Sequence, residues 1–135
     1  MPLTVTAIYA GVLTLWIIYL AWLIGQARRK HKVSLGDGNV PELTQLCRAH
    51  GNAIETIPLA LVLMALAETL GAPGAALHPL GLLLVVGRVV HGVYFFRGAR
   101  ELRLRVLGMM ATVTVLGLLA FGLLAHGIGQ LIGGA

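Results

Sequence analysis

Charge is scarce in this sequence. Ten basic and five acidic residues make up 11% of the 135-residue chain, where a soluble domain carries about 25%. Against a hydrophobic share of 58% and a mean hydropathy of +0.89, that leaves too little polar surface for a water-soluble domain. Cysteine is nearly absent too. The single Cys47 excludes an intramolecular disulfide framework and cannot build a zinc site alone, so no metal centre is expected. Aromatics are only 6% and do not interleave with the basic residues, so the net charge of +5 does not mark a nucleic-acid binder. Anionic lipid headgroups and an anionic small ligand suit it better. No positive stretch precedes the first apolar run, which is longer than the core of a signal peptide and ends in Arg28, Arg29, Lys30 and Lys32. It reads as a stop-transfer segment retained in the mature protein.

What the chain does have is length and apolarity for four crossings of about 20 residues each. The expected spans are 3–24, 42–70, 76–96 and 104–129, in one domain over residues 1–135. The fold class is all-α, an integral membrane four-helix bundle. Gly36-Asp37-Gly38-Asn39 supplies turn chemistry between the first two spans, and Gly71-Ala72-Pro73-Gly74 a tight turn between the next two. Four Lys/Arg lie in the first loop and four (Arg97, Arg100, Arg103, Arg105) in the third, with none at the termini or in the second. By the positive-inside rule both termini lie outside and loops one and three are cytoplasmic.

The remaining two basic residues, Arg48 and Arg88, fall inside spans, together with His50, Asn52, Glu55 and His91. A charge at mid-span costs about 2.5–3.5 kcal/mol on insertion scales, so such groups face the bundle interior. Arg48, Asn52 and Glu55 are spaced i, i+4, i+7 and share one helix face; Arg88, His91 and Phe95, at i, i+3, i+7, share another. Both stripes lie in the cytoplasmic halves of their helices. A structural ion pair, Arg48–Glu55 or Glu55–Arg88, is one reading. Two arginines against one glutamate leave a cation over, however, and Pro58 one turn beyond frees backbone carbonyls. The excess cation points to an anionic ligand, because arginine grips carboxylates in bidentate fashion.

The segment Arg48-Ala49-His50-Gly51-Asn52-Ala53-Ile54-Glu55-Thr56-Ile57-Pro58 resembles the signature of the membrane-associated proteins in eicosanoid and glutathione metabolism (MAPEG), as do Gly87-Arg88-Val89-Val90-His91 and the arginine-rich third loop. The likeness covers nearly the whole chain and has the look of a bacterial-type member. It implies a homotrimer of the inner membrane, with glutathione bound between protomers near the cytoplasmic face and a lipophilic small-molecule substrate arriving from the bilayer. Arg48 would hold a glutathione carboxylate, Asn52 its backbone and Glu55 its ammonium. Arg88, His91 and Tyr94 would join them from helix three, and Arg103 or Arg105 would stabilise the thiolate. The implied activity is that of a glutathione-dependent transferase or peroxidase; the alternative is a non-catalytic lipid-binding scaffold of the same family. Two positions depart from the pattern: Phe95 stands where several members have tyrosine, with Tyr94 one residue off, and Gly51 stands where some have arginine. A small multidrug transporter, the third possibility, would need an acidic residue in helix one, which has none.

Other residues read as structural. Cys47 points about 100° away from Arg48 on a helix and reads as packing. His78 reads as a loop residue, His126 as interfacial, Asp37 as part of a turn, and His31 as part of a solvated basic run. Glu68 reads as hydrated at the outer boundary. Gly108, Gly117 and Gly122 are expected to permit close helix approach.

Overall fold

The computed structural model describes residues 3–96 and 101–133, so Arg97 and Arg100 of the third loop lie outside the described residues. Four helices follow in order: α1 (Thr4–His31), α2 (Pro41–Thr69), α3 (Gly74–Phe96) and α4 (Leu102–Gly133). Each is long and apolar enough to cross a membrane. At 23 to 32 residues they run about 35–48 Å, beyond the roughly 30 Å hydrocarbon core, so their ends reach the headgroup layer.

The helix ends follow local chemistry. α1 continues past Ile24 because four basic residues, Arg28 to His31, fill its last turn and complement the helix dipole. It stops at Lys32, which turns left-handed (φ 55°); the Lys32 and Val33 N–H groups then donate to the Arg29 and Arg28 carbonyls at 3.4 and 3.0 Å, closing the end as an αL cap does. α2 begins on Pro41, whose missing N–H is harmless in a first turn. The Glu42 carboxylate accepts from Lys30 Nζ at 2.7 Å and pairs with His31 Nε2 at 2.8 Å, tying the start of α2 to the end of α1.

Small residues set the helix spacing. A methyl at Gly108 would sit 2.6 Å from the Gly87 carbonyl oxygen and from the His91 nitrogen, so α3 and α4 touch backbone to backbone. Gly81 and Gly92 seat the Tyr9 and Trp16 rings of α1 in the same way. Gly117 and Gly122 do not share this role, because a Cβ at either meets nothing within 4 Å in the single chain. The core between the helices is built from Leu13, Leu20, Ile57, Met64, Leu84 and Val115.

Two readings of the outer end need correction. Glu68 is 7% exposed, not hydrated. Its carboxylate oxygens accept the Val5 and Thr6 N–H groups at 2.9 and 2.8 Å, so α2 caps the N-terminus of α1, where four donors lack helical partners. His78 lies within α3 and not in a loop; the Tyr9 hydroxyl donates to its carbonyl at 2.9 Å. Both contacts lie between segments far apart in sequence, which helical periodicity does not register.

Candidate functional site

A cavity of about 760 Å³ opens at the end of the bundle where α1 and α3 finish and α2 and α4 begin. Arg48, Asn52 and Glu55 of α2 line it, as do His91 and Tyr94 of α3 and Arg105 of α4. The helical stripes explain the convergence: residues 48, 52 and 55 share a face of α2, and 91, 94 and 95 share a face of α3. The backbone contact at Gly87 and Gly108 brings the first turn of α4, with Arg105, close beside His91.

Two expected members do not line the cavity. Arg103, in the same first turn as Arg105, is exposed but not on its wall. Arg88 is 2% exposed and lies behind the wall. Its Nη1 donates to Asn52 Oδ1 at 2.7 Å and to Thr56 Oγ1 at 2.8 Å, and the Thr56 hydroxyl donates onward to the Asn52 carbonyl at 2.8 Å. Among the described residues no acceptor meets Arg88 Nε or Nη2, and no ion pair joins Glu55 to either Arg48 or Arg88.

Several wall residues escaped the sequence reading. Thr44, Gln45 and Cys47 precede the stripe, so Cys47 is on the wall despite its offset from Arg48; a cavity this wide takes in more than one helix face. Asp37 is on the wall as well. Its carboxylate accepts the Thr44 hydroxyl at 2.7 Å and the Asn39 N–H at 3.1 Å. The Thr44 bond, then the Asn39 bond, hold the carboxyl below its ordinary pKa, and the Arg48 charge adds to this. Thr56 stands four residues after Asn52, so spacing could have named it as a partner in that stripe. Phe95 meets the His91 ring at a tilt and the Tyr94 ring edge to face, with ring centroids 5.3 and 4.9 Å apart.

The wall thus carries two guanidiniums, Arg48 and Arg105, and two carboxylates, Asp37 and Glu55, with a third cation buried behind it. Such a lining complements a zwitterion more than a simple anion, since it offers a partner to each sign of charge.

Fold and site together define a class: a multi-pass membrane protein of four helices with a charged cavity at one end of the bundle. The family model of the MAPEG family matches residues 6–125, and the chain belongs to that family. It is similar to the inner membrane protein YecN of Escherichia coli strain K12, with 38% identity over 108 residues, 80% of this chain and 81% of the relative. The protein of the same name from Escherichia coli O6:H1 matches to the same extent.

Proposed function

We propose that this protein is a glutathione-dependent transferase or peroxidase of the inner membrane, acting on lipophilic electrophiles as a homotrimer. The observation that carries the reading is the set of Arg48, Asn52, Glu55 and Arg105 on one cavity wall. Glutathione has two carboxylates, an ammonium, two peptide groups and a thiol. Arg48 suits a carboxylate, Glu55 the ammonium and Asn52 a peptide group. Arg105 places a cation where it would lower the pKa of a bound thiol and favour the thiolate, which is the nucleophile. The sulfur then bonds to an electrophilic carbon of a substrate entering from the bilayer, displacing its leaving group or adding across its activated double bond. With a hydroperoxide it attacks the distal oxygen, the O–O bond breaks to release an alcohol, and a second glutathione reduces the resulting sulfenate to the disulfide and water. Membership in the family supports the glutathione link. Ile54 and Glu55 are exposed on the single chain, and a carboxylate facing lipid there is costly, which favours a neighbouring protomer over that surface.

Thermal stabilisation of the detergent-purified protein by a panel of low-molecular-weight thiols tests this. Glutathione should raise Tm, and native mass spectrometry of the same sample should read a trimer. Arg48→Ala and Glu55→Ala should each weaken binding by about tenfold to a hundredfold, the value of roughly 1.5–3 kcal/mol for a hydrogen bond to a charged group. Their ligand-free Tm should change little, because neither side chain makes an ion pair within the chain among the described residues. No stabilisation of the wild type by any thiol would overturn the reading in favour of the lipid-binding scaffold.

A further inference from the structure

The cation behind the wall has a consequence for what the wall can hold. Arg88 is 2% exposed, and its guanidinium meets the amide oxygen of Asn52 at 2.7 Å. A guanidinium has five donors and no acceptor. It therefore admits only one orientation of the Asn52 amide, with Oδ1 turned toward Arg88 and Nδ2 on the opposite branch. Thr56 reinforces the arrangement, since its hydroxyl takes a second bond from Nη1 and passes its own proton to the Asn52 carbonyl. An asparagine alone could present either its oxygen or its nitrogen to a ligand, whereas one held this way has its oxygen turned to Arg88 and its NH2 turned away.

We infer that Arg88 is a positioning residue that makes Asn52 a donor toward the cavity, so that the ligand group seated there is an acceptor, a peptide carbonyl or carboxylate oxygen, and not an N–H. This rests on the proposed thiol-tripeptide site and adds the polarity of one of its subsites. Arg88 itself touches no ligand. A second observation fits the same role. Neither Arg88 Nε nor Nη2 has an acceptor among the described residues, and its hydrogen-bond partner on the wall is the neutral Asn52. A carboxylate at position 52 would pair with the buried cation better than an amide does, but it would face the ligand with acceptors only.

Asn52→Asp separates these two effects. The variant should fold with a ligand-free Tm no lower than wild type, because the new carboxylate pairs with Arg88. Its affinity for glutathione should fall at least about tenfold, as acceptor meets acceptor. Were Arg88 and Asn52 merely a structural link, Asn52→Asp would keep both stability and affinity. Folded Asn52→Asp that binds glutathione within about twofold of wild type overturns the inference while leaving the thiol site standing. Failure of wild type to bind any thiol removes the proposed function instead. Should Asn52→Asp not fold, Arg88→Lys and Arg88→Met decide. Lysine still donates to the amide oxygen and should keep the affinity within a few-fold, whereas methionine frees the amide to rotate and should lose about tenfold per folded molecule. Equal affinity in Arg88→Met and wild type refutes the positioning role.

Discussion

Of the two glutamates in the body of α2, Glu68 is 7% exposed, with both carboxylate oxygens engaged by backbone N–H groups of α1. Glu55 is exposed on the cavity wall and makes no ion pair among the described residues. The same side chain thus closes the structure at one end of the helix and stands open at the other. The surroundings differ in kind. Near Glu68 the contacts are direct, with both carboxylate oxygens engaged and Tyr9 bonded to His78 nearby. Around Glu55 the wall carries charges of both signs and one buried cation with unmatched donors. A bundle of this size needs one end to be rigid if the other is to keep polar groups available, because stability set aside for a site must come from elsewhere.

The sharpest way to break this contrast is to remove the clasp. Glu68→Ala strands the Val5 and Thr6 N–H groups in a setting with little access to water, and Tm should drop by several degrees with thiol affinity per folded molecule unchanged. Glu68→Gln should fall between, because its amide has one acceptor oxygen where the carboxylate has two. Melting curves of the three proteins in one detergent check this. A Glu68→Ala variant that melts with the wild type would show that the clasp is dispensable and the two ends are alike.

The same contrast marks how far the sequence could be read. The four helices were legible because apolarity in lipid is a strong and redundant signal. Their ends were less so: α1 runs beyond Ile24 to His31 and α4 from Leu102 to Gly133, since backbone hydrogen bonding continues into the headgroup layer after hydropathy has fallen. Stripes of i, i+3, i+4 spacing group Arg48, Asn52 and Glu55 on one face, and all three line the cavity. They could not tell that Arg88 lies behind the wall or that Arg105 and not Arg103 reaches it, because depth and the crossing of α3 over α4 depend on packing at Gly87 and Gly108. Glu68 was missed for a related reason. Its partners are backbone groups of another helix, and no residue type in α1 announces them.

A smaller effect should separate the two arginines at the start of α4. If Arg105 faces the thiol, Arg105→Ala should raise the pKa of the bound thiol by about one unit, the lower end of what a nearby opposite charge does. Turnover at neutral pH would then fall about tenfold while affinity for glutathione changes little. Arg105→Lys should recover part of the loss. Arg103→Ala should stay within about twofold of wild type, as its side chain is not on the wall. The pH profile of turnover for each variant is the measurement. A shifted profile in Arg103→Ala and not in Arg105→Ala would reverse the assignment and turn a different face of α4 toward the thiol.

The smallest expected effect concerns Asp37, the wall carboxylate outside the helices. Its carboxyl is held below the ordinary aspartate pKa, first by the Thr44 hydroxyl and then by the Asn39 N–H. A carboxyl depressed in the folded state contributes stability that is present above the unfolded pKa and is lost as pH falls through the folded one. The contribution is therefore complete at neutral pH and disappears only below about pH 4. Asp37→Asn removes the charge, and its amide can still accept from Thr44, though more weakly. The neutral-pH Tm should fall slightly, and the gap to wild type should narrow as both are acidified. Because Asp37 also offsets the charge of Arg48, affinity for glutathione should hold or rise modestly. A gap between the two proteins that stays constant from neutral pH to below pH 4, the usual range of aspartate titration, would mean that the Asp37 charge does not stabilise the fold. The connection from α1 to α2 would then rest on the Lys30–His31–Glu42 contacts and on bonds such as that from the Arg28 guanidinium to the Ser34 carbonyl, with the Asp37 charge serving the cavity and not the turn.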